Sequence, residues 1–175
     1  MPGFILHINL MINFNESIVI RPIAVADNMA IAKIIRSSLE EFGANHPGTV
    51  YYDDTTDHLY TLFQQTGSAY WVAEQDGIIL GGAGIYPTPG LPEATCELVK
   101  MYLKPTARSQ GLGGYLIGLC LKEAAALGYK QVYLESMPEL AKAVSVYEHF
   151  GFTKINGPLG HSGHFGCAIQ MLKQL

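Results

Sequence analysis

Three glycines, one arginine and one glutamate are the residues of this chain whose types and spacing point to chemistry. Residues 104–116 read KPTARSQGLGGYL, and Gly111, Gly113 and Gly114 stand where a strand-like run, residues 96–103, gives way to helical apolar spacing. At a helix start the first backbone N–H groups lack partners within the helix and carry the positive end of its dipole. Glycines there remove the side chains that would hold an anion away, so the stretch suits a phosphate, and Arg108 adds a cation. Upstream, Glu97 lies inside the apolar strand run. In a strand without a bulge it shares a parity with Val99, Met101 and Leu103. Its carboxylate therefore faces a cleft, or burial raises its pKa.

The phosphate ligand can be narrowed. A dinucleotide fingerprint needs G-x-G-x-x-G, but counting from Gly111 the third glycine position falls on Leu116. A nucleotide P-loop needs G-K-[ST] after a four-residue gap, and the chain has neither. What the residues spell is R-x-x-G-x-G, from Arg108 to Gly113. This resembles the acyl-CoA site of the GNAT superfamily of acetyl-CoA-dependent N-acetyltransferases. Two further matches carry the resemblance. Glu97 stands 11 residues before Arg108, where members of that family often have a glutamate, and Ala143, Tyr147, Gly151 and Phe152 reproduce an A-x-x-x-Y-x-x-x-G-F pattern.

The resemblance implies an acyltransferase of cytoplasmic type that moves an acetyl group from acetyl-CoA to a primary amine of a small molecule or peptide. It implies Glu97 as general base and Tyr147 as the acid for the leaving thiolate. It places coenzyme A on Arg108, Ser109, Gln110, Gly111, Leu112, Gly113 and Gly114, with its pantetheine arm along Met101, Tyr102 and Leu103 and beside Ala143. In one position the chain departs from the pattern: Leu140 stands where many members have an asparagine that binds the pantetheine arm. Two other readings stay open from the residues: a non-catalytic acyl-CoA sensor that keeps the loop, and an α/β domain whose glycines only make a turn. The acceptor is not named by the sequence. His46, Tyr51, Tyr52, Tyr86, His161 and His164 are candidates to line its pocket.

These groups need a scaffold. Residues 17–23 are β-branched and end at Arg-Pro, a first strand. Ile31, Ile34, Ile35, Leu39 and Phe42 fall at helical spacing, which predicts a helix over residues 29–42 with Asp27 near its start and Gly43 at its end. A turn-rich stretch, residues 44–56, precedes a shorter helical pattern over 57–65. Asp76-Gly77 between two apolar runs predicts a hairpin of strands 69–74 and 78–86, and Gly81, Gly82 and Gly84 signal a bulge or a close approach. Strand, glycine loop, helix to Gly128 and a strand over 131–136 make a β-α-β unit with parallel strands. A helix over 139–150 and a closing pair of strands, 153–155 and 165–172, complete the chain. The fold expected is mixed α/β (α+β), GNAT-like: a mostly antiparallel central sheet with a splayed parallel strand pair, flanked by helices.

Composition bounds what this scaffold can be. The chain has 175 residues, 49% hydrophobic and 15% charged, enough for one domain with a substantial core; residues 17–175 are expected to form it, with 1–16 as an extension. A formal charge of −4 and 11 scattered Lys and Arg residues argue against a nucleic-acid surface. Cys96, Cys120 and Cys167 are too widely spaced for a disulfide framework or a zinc motif, and read as reduced core residues. His161 and His164 have H-x-x-H spacing but no third ligand, so no metal is expected. The apolar first 14 residues lack a basic start and a cleavage site and are too short to span a bilayer, so they read as an edge strand or an extension ahead of Met11. A homodimer is compatible with all of this.

Overall fold

The computed structural model describes residues 11–175. Residues 1–10, where most of the N-terminal extension falls, lie outside the described residues. Among the described residues eight strands form one sheet: β1 (Ile12–Asn13), β2 (Ile18–Pro22), β3 (Ala69–Gln75), β4 (Ile78–Tyr86), β5 (Thr95–Leu103), β6 (Gln131–Ser136), β7 (Thr153–Ile155) and β8 (Ile169–Gln174), in the order β1-β2-β3-β4-β5-β6-β8-β7. The helices are α1 (Asn28–Glu41), α2 (Leu59–Leu62), α3 (Leu112–Ala126) and α4 (Ala141–His149). None of the helices among the described residues is long and apolar enough to cross a membrane.

Local sequence explains most of the elements. Asp76 and Gly77 both take positive φ, 51° and 77°, the conformation a two-residue hairpin with a right-handed twist demands. On α1 the predicted stripe Ile31, Ile34, Ile35 and Leu39 is buried against Tyr70, Val72 and Ile79 on one face of the sheet. On α3 Leu112, Leu116, Ile117, Cys120 and Ala124 pack against Ala83, Ile85, Leu98 and Leu103 on the other. All three cysteines are buried and free. Asp27 departs from its expected role: its carboxylate turns from the helix start to accept from Arg21 at 2.7 and 3.0 Å and from the Ala24 amide at 2.7 Å.

Two features of the sheet build the site. All pairings are antiparallel except β5 with β6, and that parallel pair holds only from Thr95–Gln131 to Glu97–Tyr133. Beyond Glu97 the two strands part. The second feature is a bulge. β4 and β5 are in register at Gly84–Val99 and again at Gly82–Tyr102, so Lys100 and Met101 together oppose one residue, and Lys100 takes φ 52°. The parity expected for an unbroken strand is thereby corrected. Glu97 shares its face with Val99 and Tyr102, while Met101 and Leu103 pack with α3 on the opposite face.

The β4 glycines hold this bulge in place. A Cβ on Gly82 or Gly84 would come within 2.6 Å of the Tyr70 ring, so only bare backbone lets the ring lie across β4. From there the Tyr70 hydroxyl donates to the Lys100 carbonyl at 2.8 Å.

The remaining boundaries shift for local reasons. In place of the helical pattern expected over 57–65 stands a 3₁₀ turn, Asp54–His58, leading into the short α2, because Asp53 caps the turn by accepting from the Thr55 amide. α4 starts only after a 3₁₀ turn opened by Pro138. The last strand begins at Ile169, since residues 165–168 are held elsewhere: the Gly166 amide donates to the Gly48 carbonyl at 2.8 Å.

Candidate functional site

Where β5 and β6 part, a cavity of about 590 Å³ opens between β5, the start of α3 and α4. The loop before α3 is built as the sequence implied. Ser109 and Gly111 take φ of 62° and 82°, and Gly111 caps the helix. Its first i to i−4 bond runs from the Tyr115 amide to the Gly111 carbonyl, so the amides of Leu112, Gly113 and Gly114 precede all helical bonding. Space at Gly113 is tight as well, since a Cβ there would stand 3.0 Å from the end of the Met101 side chain.

Met101, Tyr102, Leu103, Arg108, Ser109, Gly111, Gly113, Gly114, Ala143 and Tyr147 all line this cavity. Gln110 and Leu112 do not: the Gln110 amide group donates to the Thr106 carbonyl at 2.8 Å, and the Leu112 side chain is wholly buried in the core. Arg108, the cation expected at the loop, has partners within the fold. Its guanidinium donates to the Leu103 carbonyl (3.0 Å), Glu41 (2.8 Å) and Ser38 (3.2 Å), and lies 5.3 Å from the Phe42 ring centre. It ties the loop to the end of α1. The exposed cation at the loop is Lys142 on α4, whose Nζ lies 3.2 Å from Ser109 Oγ.

A second cavity, of about 520 Å³, lies between the loops at residues 44–56, 87–93 and 156–165. Tyr52, Tyr86, His161 and His164 line it, whereas His46 and Tyr51 line neither cavity. The His46 ring sits near Glu139 at 3.8 Å and the Tyr51 hydroxyl donates to Glu40 at 2.6 Å. The two histidines of the H-x-x-H spacing part company. His161 packs on Gly90 and His164 turns inward.

Glu97, Val99, Lys100 and His164 line both cavities, so Glu97 stands in the wall between them. It is 3% exposed and accepts a short hydrogen bond from the Thr88 hydroxyl. Burial pushes its carboxyl up to about 7, and the Glu135 charge adds to that, against the Thr88 bond and the charges of His164 and Lys100. Lys100 Nζ donates to Asp53 at 2.8 Å, and Asp53 also meets His164 Nε2 at 3.3 Å. Burial works against the charge on Asp53, but His164 and Lys100 outweigh it and hold the carboxyl well below the usual range. Tyr147 is half-buried, edge-on to Phe152 at 6.0 Å, and burial pushes its phenol up to about 12, so it keeps its proton at neutral pH.

Sequence reasoning did not find Thr88, Lys100, Asp53, Glu135 or Lys142. Lys100 and Glu135 did leave a signal, a charge inside an otherwise apolar strand run. The other three sit on loops and a helix surface whose placement only the folded chain shows.

The arrangement has relatives. The acetyltransferase (GNAT) family pattern matches residues 31–152. An uncharacterized N-acetyltransferase of Escherichia coli K12, YjgM, is 40% identical over 161 residues, covering 91% of this chain and 96% of its own length. The fold is similar to an acetyltransferase from Streptococcus agalactiae 2603, with a TM-score of 0.79 at 15% identity over 92% of this chain and 100% of that one. It is also similar to the PaiA N-acetyltransferase from Thermoplasma acidophilum, solved in complex with coenzyme A, with a TM-score of 0.70 at 19% identity over 91% and 100% of the two chains. A family match over most of the chain, with a relative this similar over nearly its full length, is decisive: the chain belongs to the GNAT family of acetyltransferases and is an acyltransferase enzyme.

Proposed function

We propose that the protein transfers the acetyl group of acetyl-CoA to a primary amine of a small molecule or peptide, by direct attack with Glu97 as general base and Tyr147 as general acid. The observation that carries this reading is Glu97 in the wall shared by two cavities, one ending at a phosphate-suited loop.

The donor side follows from backbone geometry. The amides of Leu112, Gly113 and Gly114, ahead of the first helical bond, suit the pyrophosphate of coenzyme A. Lys142 stands close enough to add charge there. The edge of β5 that β6 leaves after Glu97 suits the pantetheine arm as an added strand, with Ala143 and Tyr147 as the opposite wall.

The acceptor enters from the second cavity, past Tyr52, Tyr86 and His161. A free amine has a pKa of about 10, so it arrives protonated and cannot attack. Glu97, with its affinity for a proton centred at about 7, is matched to removing that proton near neutral pH. Tyr147 protonates the departing sulfur and is restored by the second N–H proton, which the nitrogen loses as the amide forms; its wholly protonated phenol at neutral pH suits the task.

The test is release of free thiol from acetyl-CoA across a panel of amines, with Glu97→Gln and Tyr147→Phe beside the wild type. Either variant is expected to lose about 10²- to 10⁴-fold in kcat while still binding acetyl-CoA. Full activity in both variants would refute the assignment of roles, and acetyl-CoA binding without thiol release for any amine would favour a sensor.

A further inference from the structure

Acetylation of an ammonium releases one proton per turnover: ammonium and thioester become amide, thiol and a free proton. If Glu97 removes that proton, as the proposed acetyl transfer requires, it must also lose it before the next cycle. At 3% exposure, and with one oxygen held by Thr88, it has little direct access to water. The neighbours that face it are therefore the route to examine.

One carboxylate oxygen each of Glu97 and Glu135 and one ring nitrogen of His164 lie within 4.8 Å of one another, a span that one bridging water closes with two hydrogen bonds. Glu135 is oriented from both sides. Its Oε1 accepts from the Tyr133 hydroxyl at 2.8 Å and its Oε2 from the Ser162 hydroxyl at 2.7 Å. His164 is oriented as well, with Nδ1 3.8 Å from Glu135 Oε2 and Nε2 3.3 Å from Asp53 Oδ2. Its two nitrogens thus face opposite ways, one toward the carboxylate pair and one toward Asp53, which lines the second cavity.

We propose that Glu97, Glu135 and His164 form one proton-sharing unit, in which Glu135 and His164 are positioning residues that hold the proton Glu97 takes and pass it to the second cavity. The step is balanced. One N–H bond of the ammonium breaks and its proton moves to Glu97 Oε, while a second N–H proton, lost as the amide forms, replaces the one Tyr147 gives to sulfur. From there it moves to His164 Nδ1 by way of Glu135 or a water, and a proton leaves Nε2 for solvent on the Asp53 side. The unit returns to its starting charge after each turnover.

Every charged or titratable group packed around His164 has a part in this balance. Asp53, from the loop at 44–56, and Glu135 from β6 face its ring nitrogens, Glu97 from β5 lies within the same cluster, and Lys100 from β5 is paired with Asp53. Tyr133 and Cys167 stay neutral, because burial pushes the phenol and the thiol up, the thiol to about 12. His164 and Glu135 then act on Glu97 with opposite signs: the first eases its ionisation and the second resists it.

That opposition gives a test that needs no acceptor. The carboxyl carbon of Glu97 is followed by NMR titration of the full chain labelled with ¹³C at glutamate, its signal assigned by its disappearance in Glu97→Gln. His164→Gln is expected to raise the Glu97 midpoint and Glu135→Gln to lower it, each by about one pH unit, the size expected of a charge some 5 Å away between protein-like and water-like dielectrics. In the wild type the Glu97 signal is expected to show two steps rather than one. His164→Asn serves as the second variant, and every variant is used only where its amide spectrum keeps the wild-type dispersion. A Glu97 curve that superimposes on the wild type in both variants, or that moves the same way in both, overturns the proposal. Thiol release that survives Glu97→Gln would sink the role of Glu97 as general base instead, and the two failures are read in separate experiments.

Discussion

Replacing Glu97 by glutamine is expected to cost activity and to stabilise the protein above neutral pH. The Glu97 carboxyl titrates at about 7 in the folded chain against an ordinary 4.5. A carboxyl that is harder to ionise when folded leaves stability intact below about pH 4.5 and erodes it as pH rises through about 7. The full loss, at about 1.4 kcal/mol per pH unit of displacement, is on the order of 3 kcal/mol. Glutamine keeps the shape and accepts the Thr88 hydrogen bond but never ionises, so the variant escapes that loss. For a chain of this length 1 kcal/mol corresponds to about 2–4 °C in Tm, which makes the gain about 6–12 °C at pH 8.5. At pH 5 most of it is expected to vanish. Thermal melts of both proteins at half-unit steps from pH 5 to 8.5 measure the difference. A Tm gap that stays constant across that range, or that favours the wild type at pH 8.5, would refute the claim that Glu97 is held in the fold at the expense of stability.

Other perturbations separate the roles of neighbouring groups. Lys142→Ala is expected to leave Tm unchanged and to weaken acetyl-CoA binding several-fold, more at low salt than at high, because its contact is exposed; calorimetric titration at two salt concentrations checks it. Arg108→Ala is expected to lower Tm as well as affinity, since its guanidinium ties Leu103, Ser38 and Glu41 together; equal Tm for the two variants would count against that distinction. Tyr70→Phe leaves the Lys100 carbonyl without its donor in a buried place and is expected to cost about 1–3 kcal/mol in denaturant unfolding. Phe165 is 84% exposed at the rim of the second cavity, so Phe165→Ala is expected to keep stability within about 0.5 kcal/mol while raising KM for an apolar amine and not for acetyl-CoA.

What the sequence made legible was local. The Asp76-Gly77 hairpin, the apolar stripes of α1 and α3, and the glycine loop each rest on the conformational demands of a few consecutive residues. Glu97 was legible as an anomaly, a carboxylate in an apolar strand. Its parity was not, because the bulge at Lys100 depends on Tyr70 reaching over the β4 glycines from another strand. The glycines announced that something approached closely; they did not say what. Arg108 shows the same limit, since a motif fixes a residue's place in a loop, while its partners Ser38 and Glu41 lie 70 and 67 residues away. The fate of residues 165–168 was equally hidden, because the Gly166 amide is drawn off to Gly48.

The bulge explains why the proposed base and the proposed donor channel can share one strand. In an unbroken β5, Glu97 would share its face with Met101 and Leu103, and the α3 packing that consumes those two side chains would bury the carboxylate with them. With the extra residue at Lys100, the strand's later half turns its apolar side chains toward α3 while Glu97 keeps the other face, beside Val99, Tyr102 and the second cavity. The splay after Glu97 then frees the edge of that same later half. In the proposed reaction donor and acceptor therefore approach the strand from different directions and meet only near its one carboxylate. The donor side is walled by strands and helices, whereas the acceptor side is walled largely by three loops, so the rigid half of the site suits the constant substrate and the loop-built half suits the variable one.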